Sequence, residues 1–161
     1  MARLLKAIQG IEGALAVMAY LTVVVLLGWE IIAREVMGMP VLGLQTMAVL
    51  VTAAAGFFGM SLATGSGSHL RPTVCDRVLP ARFDALINRI SDMVAALLHA
   101  AFAIVCVYFI SETQAAGDRV AIFLIPVWPF QLVMPAAFLS SGLRHLIFAL
   151  KPGLRPVADS P

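Results

Sequence analysis

Residues 13–29 read GALAVMAYLTVVVLLGW and residues 41–63 read VLGLQTMAVLVTAAAGFFGMSLA, both without a charged side chain. An α-helix rises 1.5 Å per residue, so about 20 such residues cross a hydrocarbon core about 30 Å thick. Two more runs of this kind follow: MVAALLHAAFAIVCVYFIS at 93–111, whose one polar oddity is His99, and VAIFLIPVWPFQLVMPAAFLSSGL at 120–143. The pattern predicts an all-α integral membrane protein, a single membrane domain over 1–161 with four transmembrane helices at about 10–33, 41–63, 93–112 and 120–146. A loop at 64–92 and a polar tail at 151–161 complete the expected layout.

Composition agrees. Of 161 residues, 61% are hydrophobic and 12% charged, whereas soluble domains run about 45–50% apolar and about 25% charged. A soluble fold of this length leaves roughly a third of its extended-chain surface in water, which so few charges could not cover. A net charge of +2 gives no reason to expect nucleic acid as a partner. Cys75 and Cys106 form no disulfide framework. Arg3 and Lys6 precede the first apolar run as in a signal peptide, but the run is long, Glu12 interrupts its start and no small-x-small site follows, so an uncleaved first span is expected.

The placement of the charges predicts an orientation. Arg3 and Lys6 precede the first span, Arg71, Arg77, Arg82 and Arg89 lie in the middle loop, and Arg144, Lys151 and Arg155 follow the last apolar run. Only Arg34 and Arg119 fall on the other side, together with Glu30, Glu35, Glu112 and Asp118. The positive-inside rule then puts both termini and the middle loop in the cytoplasm.

Within the middle loop, PARFDALINRISD at 80–92 spaces Phe83, Leu86, Ile87 and Ile90 as an apolar stripe, with Arg82, Asp84, Asn88, Arg89 and Asp92 on the other side. The spacing predicts an amphipathic interfacial helix over about 80–92 that runs on into the third span, with membrane lipid or a partner protein against its apolar side.

Several residues could carry function. Glu30 and Arg34, acid first and four apart, would pair along one helix face, either as an interfacial salt bridge or as a pair that binds an ion or latches a partner. His99 inside a span is a functional candidate by position. No second histidine is expected at its depth, since His69 lies in the loop and His145 just beyond the apolar run of span four. That disfavours a bis-histidine haem and leaves a hydrogen bond between helices or a proton-linked site. Ala55, Gly59 and Ala63 form a small-residue row, and Ala48, Thr52 and Gly56 a second, which favour close helix packing in lipid. Gln45 and Thr46 could bond either within the chain or outside it. Pro126, Pro129 and Pro135 predict a kinked or late-starting fourth helix, with Trp128 as an interfacial anchor. Only one span is broken in this way, so a complete transport pathway within the chain is not expected.

Glu30, Arg34, Gly38 and Pro40, the Phe58-Gly59 step, His69, Asp76 with Leu79 and Pro80, and IPVW at 125–128 together form a family pattern. It resembles the small membrane subunit of the tripartite ATP-independent periplasmic (TRAP) transporters, the DctQ-like family. The chain departs from that pattern at Gly43, Gln45 and Thr46, where a tryptophan and paired acids are common, and at TGSGS, where arginine is common.

The resemblance implies a noncatalytic small permease subunit in the bacterial inner membrane. It implies a large TRAP membrane subunit and a periplasmic solute-binding protein as partners, import of an organic acid such as a carboxylate, and no cofactor in this chain. Sodium coupling is expected in the large subunit. Glu30, Arg34, Gln45, Ala55, Gly59, His69, Asp76, His99 and Trp128 are then candidate interface or docking residues. The alternatives are a small four-helix haem- or quinone-binding membrane anchor and the small subunit of a tripartite tricarboxylate transporter.

Overall fold

The computed structural model describes residues 2–65, 84–120 and 122–154. Helix α1 spans Ala2–Met37, α2 Leu44–Gly65, α3 Asp84–Ala116, α4 Trp128–Gln131 and α5 Val133–Leu150, with a 3-10 turn at Pro152–Leu154. Among the described residues, four segments are long and apolar enough to cross a membrane: Leu5–Met37, Leu44–Gly65, Asp84–Ala116 and Trp128–Leu150. With 36 residues, α1 is about 54 Å long, so it extends well past a hydrocarbon core of about 30 Å.

The helices form two hairpins side by side. Helix α1 packs on α2, α3 packs on α5, and the contact between α2 and α5 joins the two pairs, so α1 and α3 occupy the outer positions of a four-helix row. Side chains at these contacts are mostly small: Ala16, Ala33, Ala48, Ala55, Ala96, Ala103, Ala137 and Ala149 are buried. The large apolar side chains point outward, including Val24, Val25, Ile104 and Tyr108, each about two-thirds exposed. A soluble protein does the reverse. Lipid is as apolar as leucine, so burying large side chains gains little, and small residues instead let the backbones approach.

Turn chemistry sets the hairpins. Gly38 (φ +67°) and Gly43 (φ +94°) bracket the α1–α2 connection in the left-handed region that glycine enters at no steric cost. A Cβ on Gly43 would also lie 2.5 Å from Phe123 Cε2, because the connection following α3 folds over this turn. Helix α3 ends at Gly117 (φ +69°), where Gly117 N donates to Gln114 O at 3.1 Å and Asp118 N to Thr113 O at 3.2 Å. This Schellman pattern satisfies carbonyls that the helix end would leave open.

The fourth span begins later than 120. Residues 118–120 and 122–127 fold back on one another: Val120 N donates to Ile125 O at 2.9 Å, Leu124 N to Val120 O at 2.8 Å and Val127 N to Asp118 O at 3.1 Å. Pro129 falls at the start of α4, where its missing donor is harmless. Pro135 falls in the first turn of α5 and cannot donate to the Gln131 carbonyl, which accounts for the break between the two helices at Leu132.

Residues 84–92 are helical and form the first turns of α3, continuous with the third span. The remainder of the expected interfacial helix, 80–83, lies outside the described residues. Leu86 and Ile90 of the apolar stripe are exposed, consistent with a side set against lipid or a partner, whereas Asp92, assigned to the polar side, departs from the expectation and is buried.

Candidate functional site

Asp92 marks the edge of a belt of buried polar residues that crosses all four long helices at one end of the row. This is the end where α1 and α3 begin and α2 and α5 finish. Helix α1 contributes Glu12, α2 contributes Ser61 and Thr64, α3 contributes Asp92, and α5 contributes Ser140, Ser141, Arg144 and His145. All but Ser140 are buried below a tenth of their free exposure.

Glu12 is the centre of the belt. Its Oε1 accepts from Ser61 Oγ at 2.8 Å and from Ser140 Oγ at 2.6 Å. Its Oε2 accepts from Arg144 Nη2. Arg144 Nη1 donates to the Ser61 carbonyl and lies 3.4 Å from Ser61 Oγ. One step along α2, Thr64 Oγ1 bonds Ser141 Oγ at 3.3 Å. The α2–α5 seam that joins the two hairpins therefore carries a charge pair and four hydroxyls, and α1 is tied into it through Glu12. In a hydrocarbon environment no water satisfies such groups, so each must find its partner inside the protein.

On the other side of α5, His145 Nδ1 bonds Asp92 Oδ1 at 3.0 Å. The His145 ring lies 5.4 Å, centroid to centroid, from the ring of His99. His99 does not hydrogen-bond across helices through Nδ1, as one reading expects. Its Nδ1–H donates to Ala95 O at 2.7 Å on its own helix, while the ring packs 6.0 Å from Phe138 of α5. The expectation that no other histidine shares its depth is corrected as well: α5 continues to Leu150, so His145 lies inside the helix and beside it. The close approach depends on Gly142, where an added Cβ would stand 3.2 Å from His99 Cβ and 3.5 Å from Ala96 O.

At the opposite end, Glu30 is buried and accepts from Gln45 Nε2 at 2.9 Å, a bond between α1 and α2. The expected Glu30–Arg34 pair is replaced, because Arg34 Nε reaches Glu35 Oε1 at 3.4 Å and both of these side chains are exposed. Trp128 opens α4 at this same end and is partly exposed. Ala55 is fully buried, whereas a Cβ on Gly59 would meet nothing within 4 Å. His69 and Asp76 lie outside the described residues. Glu30 and Gln45 are thus brought together, and the other described candidates are spread along the row.

The belt escaped the reading of the sequence. Glu12 was taken as an interruption before the first apolar run, and Arg144 and His145 as charges beyond the last. A faint signal was present in an acid and a base flanking apolar runs at the same end of the molecule. Among the described residues, no group of three histidine, cysteine, aspartate or glutamate side chains is arranged to hold a metal ion.

Fold and site together define a multi-pass membrane protein whose buried polar groups bind its own helices to one another. Residues 23–152 match the family described as tripartite ATP-independent periplasmic transporters, DctQ component, and the chain belongs to that family. It is therefore one component of a multi-part transporter. Comparison with curated proteins and with solved structures finds no significant match.

Proposed function

We propose that the chain is the noncatalytic small permease subunit of a sodium-coupled TRAP transporter for an organic acid, placed in the bacterial inner membrane with both termini cytoplasmic. It acts as a scaffold for the large membrane subunit and helps the periplasmic solute-binding protein to dock. The observation that carries this reading is the pairing within the polar belt: Glu12, Ser61, Ser140 and Arg144 bond one another across α1, α2 and α5. Groups committed in this way hold helices together and are not offered to a solute. The outward apolar sides of α1 and α3 supply surface for lipid and for a large partner, and the end bearing Arg34, Gln45 and Trp128 faces the periplasm in this orientation.

Affinity purification of the full chain from native membranes in mild detergent tests the partnership. A much larger multi-span protein is expected to co-purify in a fixed ratio that survives gel filtration. Recovery of this chain alone, from cells that express the neighbouring large subunit, would contradict the proposal.

A further inference from the structure

On the outer side of the polar belt lies a half-open cavity of about 240 Å³, lined by Leu5, Lys6 and Gln9 of α1, Gly65 of α2, and Arg144, Phe148 and Leu154. We propose that this cavity binds the phosphate-bearing headgroup of an anionic phospholipid.

Charge is the first argument. Arg144 has five N–H donors, and its bonds to Glu12 and Ser61 do not use them all. Its charge is balanced by Glu12, so the surplus positive charge of the cavity is that of Lys6, which has no ion-pair partner among the described residues. The cavity therefore offers a mobile ammonium beside a fixed guanidinium, a combination suited to phosphate oxygens.

Depth and shape give the second. Lys6 stands six residues before Glu12 on the same helix, about 9 Å farther toward the end of the row, the level at which headgroups meet the hydrocarbon core. The remaining walls are Leu5, Phe148 and Leu154, which suit the glycerol and upper acyl carbons of a lipid and have no use for a free inorganic anion. The volume lies below the range of about 300–1,000 Å³ usual for a complete small-molecule site, so the headgroup and the carbons next to it enter and the rest of the acyl chains stays outside.

The backbone accommodates the site. A Cβ on Gly65 would stand 2.9 Å from Arg144 Nη1 and 3.3 Å from Gln9 Cδ, so glycine here lets the arginine occupy the cavity wall.

Native mass spectrometry of the purified full chain, titrated separately with phosphatidylglycerol and phosphatidylcholine, tests the proposal. The wild-type chain is expected to retain one phosphatidylglycerol in preference to phosphatidylcholine. Lys6→Gln should weaken that retention about fivefold, the contribution of one basic residue near a membrane surface, and Lys6→Arg should restore it. Lys151→Gln removes the same charge at the same end but outside the cavity, and should leave retention unchanged. Equal retention of the two lipids, or equal loss in Lys6→Gln and Lys151→Gln, would overturn the site. Displacement of the lipid by millimolar inorganic phosphate would overturn the assignment to a lipid headgroup.

Discussion

Replacing Arg144 with leucine is expected to destabilise the chain by about 3–5 kcal/mol, the cost of leaving a buried charge without its partner. The substitution strands Glu12, which would keep two serine hydroxyls but no cation, and it also removes the donor to the Ser61 carbonyl. Titration of the detergent-solubilised protein with a denaturing surfactant, followed by tryptophan fluorescence, measures the loss. The double variant Glu12→Leu, Arg144→Leu should recover much of it, since an apolar pair of similar volume frequently replaces a buried ion pair at little cost. Arg144→Lys should fall between, because an ammonium cannot reproduce the guanidinium fork that spans Glu12 and Ser61. A double variant no more stable than Arg144→Leu alone would mean that the two charges are not coupled.

Gly142→Leu is the second substitution with a large expected effect. An added Cβ already meets His99 Cβ at 3.2 Å and Ala96 O at 3.5 Å, and leucine adds three more carbons in the same direction. Helix α3 would have to withdraw from α5, weakening the His145–Asp92 bond and the ring contacts of His99. Overpacking of a tight contact costs about 1–3 kcal/mol, or more where backbone is the obstacle. Gly142→Ala should cost less, since the His99 and Ala96 neighbours need give by only a few tenths of an ångström. The same surfactant titration measures both variants, and a Gly142→Leu chain as stable as the wild type would show that the helices do not cross closely at this residue.

The two effects separate what the sequence makes legible from what it does not. Uninterrupted apolar runs declare the four long helices, and the short connections at 38–43 and 117–127 declare their pairing, because hydropathy and turn chemistry are local. The start of the fourth span at Trp128 was only partly readable: three prolines announce a disturbance, but the fold-back of 122–127 on 118–120 depends on backbone bonds between non-adjacent residues. The polar belt depends on rotation about each helix axis, which no single run reveals. Glu12 and Arg144 are 132 residues apart, and nothing in either neighbourhood states that they face each other.

Asp92 shows where the face assignment failed, on its polar side. A periodic apolar stripe on a helix in water points inward and polar residues point outward; Leu86, Ile87 and Ile90 were read as the side set against lipid or a partner, but Asp92 was still placed on the outward polar side. When the surroundings are apolar the rule inverts: Leu86 and Ile90 are exposed and Asp92 turns in to His145. The same inversion places alanines at the helix contacts and the large side chains outside. Among the candidate interface residues, Glu30 and Gln45 were identified individually, but their bond to each other was obscured by the more obvious i, i+4 partner Arg34.

The scaffold role is tested most directly by solute uptake into proteoliposomes under an imposed sodium gradient, with radiolabelled carboxylates and the cognate solute-binding protein supplied outside. Vesicles holding this chain alone should accumulate no more label than empty vesicles, and accumulation should appear when the co-purifying large subunit is included. Sodium-dependent accumulation by this chain alone would contradict the account.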